Sequence, residues 1–352
     1  MIDDRWSIFP PPGLISVSLR PSLLLALLWA ALGCARSTME PAAARAAPLR
    51  PGCPALPVLD SAGLVRDVFA ISADSMRGRA IGSLGSAKTR DFLASRFDAL
   101  GLETISPGRI HVVPVTSPSP RLKDVRSGSN IVGMIAGSVH PDQYIVITAH
   151  YDHLGVGQPV DGDSIYNGAD DNASGTAALV ALARYFFRAH PAHSLVFAAV
   201  DGEESGMWGS RDFVSRPAVP LGQILLNINL DMIGRNVNNE LYAAGPGHYP
   251  LLTPLVEATV GCAPIRLTIG HDQASAGPGN DWTGQSDQAA FHAKGIPFVY
   301  FGEEDHPDYH RPSDRADQLM PGFYLGAVRT VADFIHRFDA DPVNARIVPA
   351  GH

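Results

Sequence analysis

Four short, largely apolar runs punctuate the chain, at 144–149, 195–200, 224–230 and 298–301. Each has the length of a strand and lacks the alternation of a half-exposed one, which is how strands covered on both faces read. Residues 110–115, 130–135 and 265–269 predict three more strands, with Pro118, Pro120 and Gly128 marking turns between the first two. Helical spacing fills the intervals. Within 58–102, Leu64, Val65, Val68 and Phe69 form one apolar face. Phe92, Leu93, Phe97 and Leu100 form another over 87–100, with Gly101 as its stop. The small and apolar residues of 173–189 predict a buried helix. Further helices are expected over 208–214, 251–260, 286–294 and 324–338, the last burying Val328, Val331, Phe334 and Ile335. Residues 154–168 and 302–318 read as polar loops, and 270–285 as a long Gly-rich loop of the kind that lines a site. Arg77-Gly78-Arg79 reads as a loop with solvated arginines. Strands alternating with helices predict an α/β domain with a largely parallel sheet.

Three of the apolar runs end in chemistry. The first ends at His150, the second at Asp201-Gly202-Glu203-Glu204, and the third at Asp231; Asp170 and Asp171 stand at the start of the 173–189 helix. In open α/β sheets ligands bind beyond the carboxyl ends of the strands, so these groups converge on one sheet edge. Buried carboxylates cost several kcal/mol unless they are paired or on a metal. No run of Lys or Arg lies beside them in sequence, so a cation is needed to hold them together. Imidazole mixed with carboxylate suits a divalent metal.

Composition adds limits. The chain has 352 residues, 45% hydrophobic and 18% charged, with a net charge of −8, ordinary for a globular enzyme. No basic stripe is visible, which excludes nucleic acid as the expected partner. Residues 23–32 are unbroken apolar, too short to span a bilayer and suited to the core of a signal peptide. Cys34, after Ala31-Leu32-Gly33, looks like a bacterial lipoprotein cleavage site. Residues 1–16, with Asp3 and Asp4, suit a signal start poorly, so the natural start is expected to lie later. The expected layout is a signal over 1–34, an Ala-, Pro- and Arg-rich tether over 35–57, a catalytic domain over 58–340 and a tail over 341–352. The expected location is periplasmic, outer-membrane through a lipidated Cys34, or secreted. If Cys34 carries lipid, Cys53 and Cys262 remain, either as a disulfide in an oxidising compartment or as two free thiols.

The motifs HYDHLG, NGADDNASG, DGEESG, NLDMIG and DYHRPSD, in that order over roughly 60–340, resemble the co-catalytic di-zinc exopeptidases. That family includes bacterial leucine-type aminopeptidases, glutamate carboxypeptidase and the glutaminyl cyclases. The resemblance implies a three-layer zinc-aminopeptidase-like fold, a mixed, mostly parallel sheet flanked by helices. It also implies two zinc ions per chain and peptide substrates, hydrolysed by a hydroxide that the two ions share. Residue by residue, His150 and Asp231 match the terminal ligands of one zinc, Glu204 and His310 those of the other, and Asp171 the bridge. Glu203 matches the general base, Asp152 the carboxylate that orients the histidine ligand, and Tyr309 a tyrosine that helps to stabilise the oxyanion. Aminopeptidase is the leading expectation. Carboxypeptidase, a single-zinc glutaminyl-peptide cyclase and a non-catalytic receptor-like relative stand as rivals, and residue specificity is open.

The remaining candidates are assigned plainer roles. Asp170 is expected to be a structural or capping carboxylate. His153, His271, His292 and His306 are expected to be surface or hydrogen-bonded side chains. Glu303, Glu304 and Asp305 are expected to form a solvated acidic loop, the alternative being that one receives the substrate's amino group. Trp282 and Phe291 are expected to pack. Gln288 stands where many relatives have His, which leaves the metals untouched and pocket polarity open. The interval 111–130 is too short for a protease-associated insert, so one catalytic domain is expected.

Overall fold

A computed structural model describes residues 53–342, apart from 56, 117–121, 123, 274–276 and 278. The expected signal, Cys34, most of the expected tether and the end of the tail lie outside the described residues. The strands are β1 Ile110–Pro114, β2 Ser127–Ile135, β3 His140–His150, β4 Gly155–Val160, β5 Asp163–Tyr166, β6 His193–Val200, β7 Ile224–Leu230, β8 Glu240–Ala244, β9 Arg266–Ile269 and β10 Phe298–Gly302. The helices are α1 Ser61–Ile71, α2 Leu84–Leu100, α3 Gly175–Ala189, α4 Trp208–Ser215, α5 Thr253–Cys262, α6 Gln288–His292 and α7 Pro321–Ala340.

Eight strands form one sheet in the order β1-β2-β6-β3-β7-β10-β8-β9. The central β6, β3, β7 and β10 are parallel neighbours. Antiparallel β1 and β2 flank them on one side, and β8, antiparallel to β10, on the other, with β9 parallel to β8. Successive strand residues point to opposite faces. Ile145, Ile147 and Ala149 of β3 therefore join one core with Leu179 and Leu182 of α3 and Val331 and Phe334 of α7. Val146 joins a second core with Phe213 of α4 and Phe291 of α6. Helices thus cover both faces, giving the three layers and the mixed, mostly parallel sheet that the family resemblance implied. Local chemistry sets the helix ends. Asp60 accepts the Gly63 N–H at the start of α1 and Ser83 that of Ser86 at the start of α2. Gly101 ends α2 at φ 75°, a left-handed stop that glycine takes without strain.

The structure differs from the sequence expectations at two elements. Residues 154–168, read as a loop, hold the β4–β5 hairpin. Its turn is Asp161-Gly162, both at positive φ (51° and 87°), the dipeptide that two-residue hairpins favour. β8 was also unforeseen, because Glu-Leu-Tyr-Ala-Ala has little β-branched content. Among the described residues no helix is long and apolar enough to cross a membrane.

Cys53 and Cys262 are joined as a disulfide across a sequence separation of 209, so of the two states left open the bonded one is found. A bond closing so long a loop restricts the unfolded chain. Loss of it through Cys262→Ser is expected to cost about 2–5 kcal/mol, read by calorimetry as a fall in melting temperature. An unchanged melting temperature would show that the bond does not contribute.

Candidate metal centre

The carboxyl ends of β3, β6 and β7 bring the predicted groups together. His150 ends β3, Glu203 and Glu204 follow β6, and Asp231 follows β7. Asp171 comes from an irregular turn, Ala169–Ser174, that leads into α3. Gly168 precedes that turn at φ 54°, and a Cβ there would clash with the Asp171 carbonyl oxygen, so the turn requires glycine.

The two oxygens of Asp171 face different partners. Oδ1 lies 3.4 Å from His150 Nε2, which is itself 3.2 Å from Asp231 Oδ1. Oδ2 lies 3.1 Å from His310 Nε2, which is 3.2 Å from Glu204 Oε2. The arrangement is two imidazole–carboxylate sets sharing one carboxylate. Ser286 Oγ donates to Asp231 Oδ2 at 2.7 Å, leaving Oδ1 for the cluster. Tyr309 stacks on His310, ring centroids 3.8 Å apart, and lines a cavity of about 520 Å³ beside Asp231.

The Asp152 side chain stands beside His150 Nδ1 and favours a proton on that ring. His150 Nδ1 is 3.2 Å from the Asp152 carbonyl oxygen and 3.6 Å from its carboxylate. The Asp152 carbonyl oxygen and carboxylate thus both face the Nδ1 proton, which leaves Nε2 free to ligate. The Asp152 carboxylate also accepts the Glu203 N–H at 3.1 Å, fixing the turn that carries Glu203 and Glu204.

Two residues expected to be peripheral belong to this centre. His153 is 1% exposed, with Nδ1 2.6 Å from Glu204 Oε1 and 3.7 Å from Asp171 Oδ2. A three-residue step past the strand end turns it inward, which strand periodicity could not foretell. Arg79, expected to be solvated, is 0% exposed. It donates to the carbonyl oxygens of Tyr151 (2.7 Å), Ile71 (3.1 Å), Asn167 (2.5 Å) and Gly168 (2.8 Å). Three of those partners, Tyr151, Asn167 and Gly168, flank His150 and Asp171 in the chain. Asp314, the last residue of DYHRPSD, had no assigned role; it accepts the Asp170 N–H at 3.0 Å and the Asp171 N–H at 3.1 Å, holding the bridging turn. Asp201, also unassigned, accepts from Tyr151 Oη at 2.9 Å.

The expected plain roles fare unevenly. Asp170 is structural, accepting the Gly234 N–H at 2.7 Å. Phe291 packs in the core, whereas Trp282 both packs and walls the cavity, stacked on His271 at 3.8 Å. His292 lies against Tyr249. Gln288 is buried and braces Asn229 at 2.9 Å, a structural use. Glu304 and Asp305 are exposed as expected, but Glu303 is 3% exposed.

Charge makes the case for a cation. Burial pushes Glu203 well above the usual carboxylate range, although the His150 charge opposes it. Burial also disfavours charge on Glu204, but the imidazoles of His153 and His310 outweigh this and hold it well below that range. His310, disfavoured by burial, is held up to about 10 by Asp171 and Glu204. Protons thus stand where a metal would displace them. Glu204 Oε1 and both ring nitrogens of His153 are buried without a well-formed hydrogen bond. His150, Asp171 and Asp231 form one group able to hold a metal, and His153, Asp171 and Glu204 another. The residues present fit metal ions on both sides of Asp171.

Known proteins resemble this chain in sequence and fold. Residues 130–335, more than half of the chain, match Peptidase family M28. A probable zinc metalloprotease of Pyrenophora teres f. teres is 30% identical over 218 residues, covering 60% of this chain and 44% of that protein. Aminopeptidase YwaD of Bacillus subtilis is 29% identical over 208 residues, covering 55% and 41%. The chain therefore matches less than half the length of these relatives. The crystal structure of BSAP, a zinc aminopeptidase from Bacillus subtilis, superposes with a TM-score of 0.62 at 17% identity, covering 83% of this chain and 98% of that one, a likeness of fold.

Proposed function

Because the chain belongs to peptidase family M28, we propose that it is an exported, zinc-dependent exopeptidase, an aminopeptidase holding two ions. One observation carries the reading: the Asp171 oxygens face two separate imidazole–carboxylate sets, His150 with Asp231 and His310 with Glu204. These residues would hold the ions. When bound, the ions supply Lewis acidity toward the scissile carbonyl and toward a water. Glu203 takes the proton of that water and delivers it to the leaving amine, a role its raised affinity for protons suits. Tyr309, at the cavity wall, donates to the carbonyl oxygen as it gains charge. Aminopeptidase rather than another exopeptidase rests on the relatives with that name. Export is supported by the Cys53–Cys262 disulfide, a bond of oxidising compartments, together with the apolar run 23–32; lipid on Cys34 is part of the same proposal.

The test is a peptide panel read by mass spectrometry. A leucine-initiated peptide with a free N-terminus should lose its first residue whether or not its C-terminus is amidated. Its N-acetylated form should survive. Residue loss from the C-terminus, or ammonia loss from a glutaminyl peptide without cleavage, would contradict the reading. Chelation should abolish turnover, and added zinc should restore it; turnover that persists in the metal-free protein would exclude the proposed chemistry.

A further inference from the structure

A groove of about 340 Å³ lies between α4 and α6. One end abuts the groups assigned to catalysis. Met207, at that end, donates its main-chain N–H to the Glu203 carbonyl oxygen at 3.0 Å. Gly284 also lines the groove, while Gln285, the next residue, lines the cavity beside Asp231. The groove therefore begins beside the catalytic cavity.

Its floor is apolar and its rims are cationic. Met207, Val214, Ala290 and Ala293 line it, together with Arg211 of α4 and Lys294, which follows α6. Both cations are exposed. Neither makes an ion pair or a side-chain hydrogen bond with a described residue. Asp212, the acid beside Arg211 in the chain, is taken by Arg216 at 2.6 Å. No acidic residue lines the groove among the described residues. On a chain of net charge −8, two cations without acids reverse the local sign, and such a reversal selects the partner that docks there.

We infer that the groove holds the part of a peptide substrate that follows the scissile bond, and that Arg211 and Lys294 favour an acidic side chain in that part. The inference rests on the peptidase reading and extends it to sequence preference. Arg211 stands one helical turn, about 5.4 Å, beyond Met207, the span of about two residues of extended chain. An acid about two to four residues after the bond therefore comes within reach of the cations. Ser215, Ala293 and Lys294 are exposed at the other end, so the groove admits a chain that continues and needs no carboxyl terminus there.

The zinc-loaded protein is titrated calorimetrically with peptide amides made of leucine followed by alanines, the first peptide bond reduced to CH2–NH so that it resists hydrolysis. Glutamate or glutamine replaces the alanine two, three or four residues after that bond. In at least one position the wild type should bind the glutamate peptide about 2- to 10-fold more tightly, and added salt should shrink the difference. The double variant Arg211→Glu/Lys294→Glu should lose that preference and favour lysine at the same position, with metal content unchanged. Equal binding of the glutamate and glutamine peptides at every position overturns the inference, as does a preference that survives the double variant. Should the double variant not fold, Arg211→Gln and Lys294→Gln are read singly. Each should lose part of the preference, and a full preference in both overturns the inference. The unmodified peptides separate the two readings. A protein that cleaves none of them yet prefers glutamate through these cations refutes the peptidase reading and keeps the groove; one that cleaves them without that preference does the reverse.

Discussion

Glu203→Ala is expected to lower kcat by about 10²- to 10⁴-fold and to leave the metal content at its wild-type value. The two halves of that result come from different atoms. Glu203 contributes no oxygen to either metal-holding group, whereas the adjacent Glu204 does. Its main chain is held by Asp152 through the 3.1 Å hydrogen bond, which the substitution leaves in place. Removing the side chain thus deletes a proton acceptor from a site whose other groups stay where they were. Kinetics on a leucyl peptide, paired with metal analysis of the same preparation, checks both halves. A variant with near-normal turnover would remove Glu203 from the mechanism. One that lost its metals would make it a ligand.

Arg79→Met is expected to destabilise the fold by about 3–5 kcal/mol, the usual loss when one partner of a buried charged network is removed. It is also expected to weaken metal binding by about 10- to 100-fold. Among the described residues Arg79 is the only buried lysine or arginine. Burial lowers its pKa to about 10, with Asp171 and Asp152 opposing that fall, so it remains a cation at neutral pH. Its four hydrogen bonds tie the end of α1, the chain after His150 and the turn before Asp171 to one planar group. Methionine fills similar space but offers those carbonyl groups no donors. Arg79→Lys keeps the charge without the fork and should recover part of both losses. Thermal denaturation and competition with a chelator read the two effects separately; unchanged values in both would show that the tie is dispensable.

What the sequence could reveal depended on range. Strands β3, β6, β7 and β10 were legible because burial on both faces writes itself as continuous apolar residues. Parallel pairing of such strands is enough to bring the residues at their ends, His150, Glu203, Glu204 and Asp231, to one sheet edge. The choice of Asp171 over Asp170 came from family resemblance, and the structure supplies its physical content: Asp171 offers oxygens to two sets, while Asp170 is taken by Gly234 and His306. The roles of Arg79 and Asp314 were not legible, because Arg79's carbonyl partners at Tyr151, Asn167 and Gly168 lie 72 to 89 residues away and those of Asp314 lie 143 and 144 away. No local pattern records such contacts. The burial of His153 beside Glu204 was not legible for another reason. His153 shares a motif with His150, and only the bend of the chain after β3 decides that both rings face the carboxylates of the centre rather than water. The β4–β5 hairpin could have been found, since Asp161-Gly162 is a turn signal; the polar residues around it obscured the strands.

The central proposal is that Asp171 would offer one oxygen to each of two metal ions. Elemental analysis of the protein after zinc reconstitution and removal of loose metal tests it most directly. The account predicts two zinc ions per chain, and none or one would contradict it.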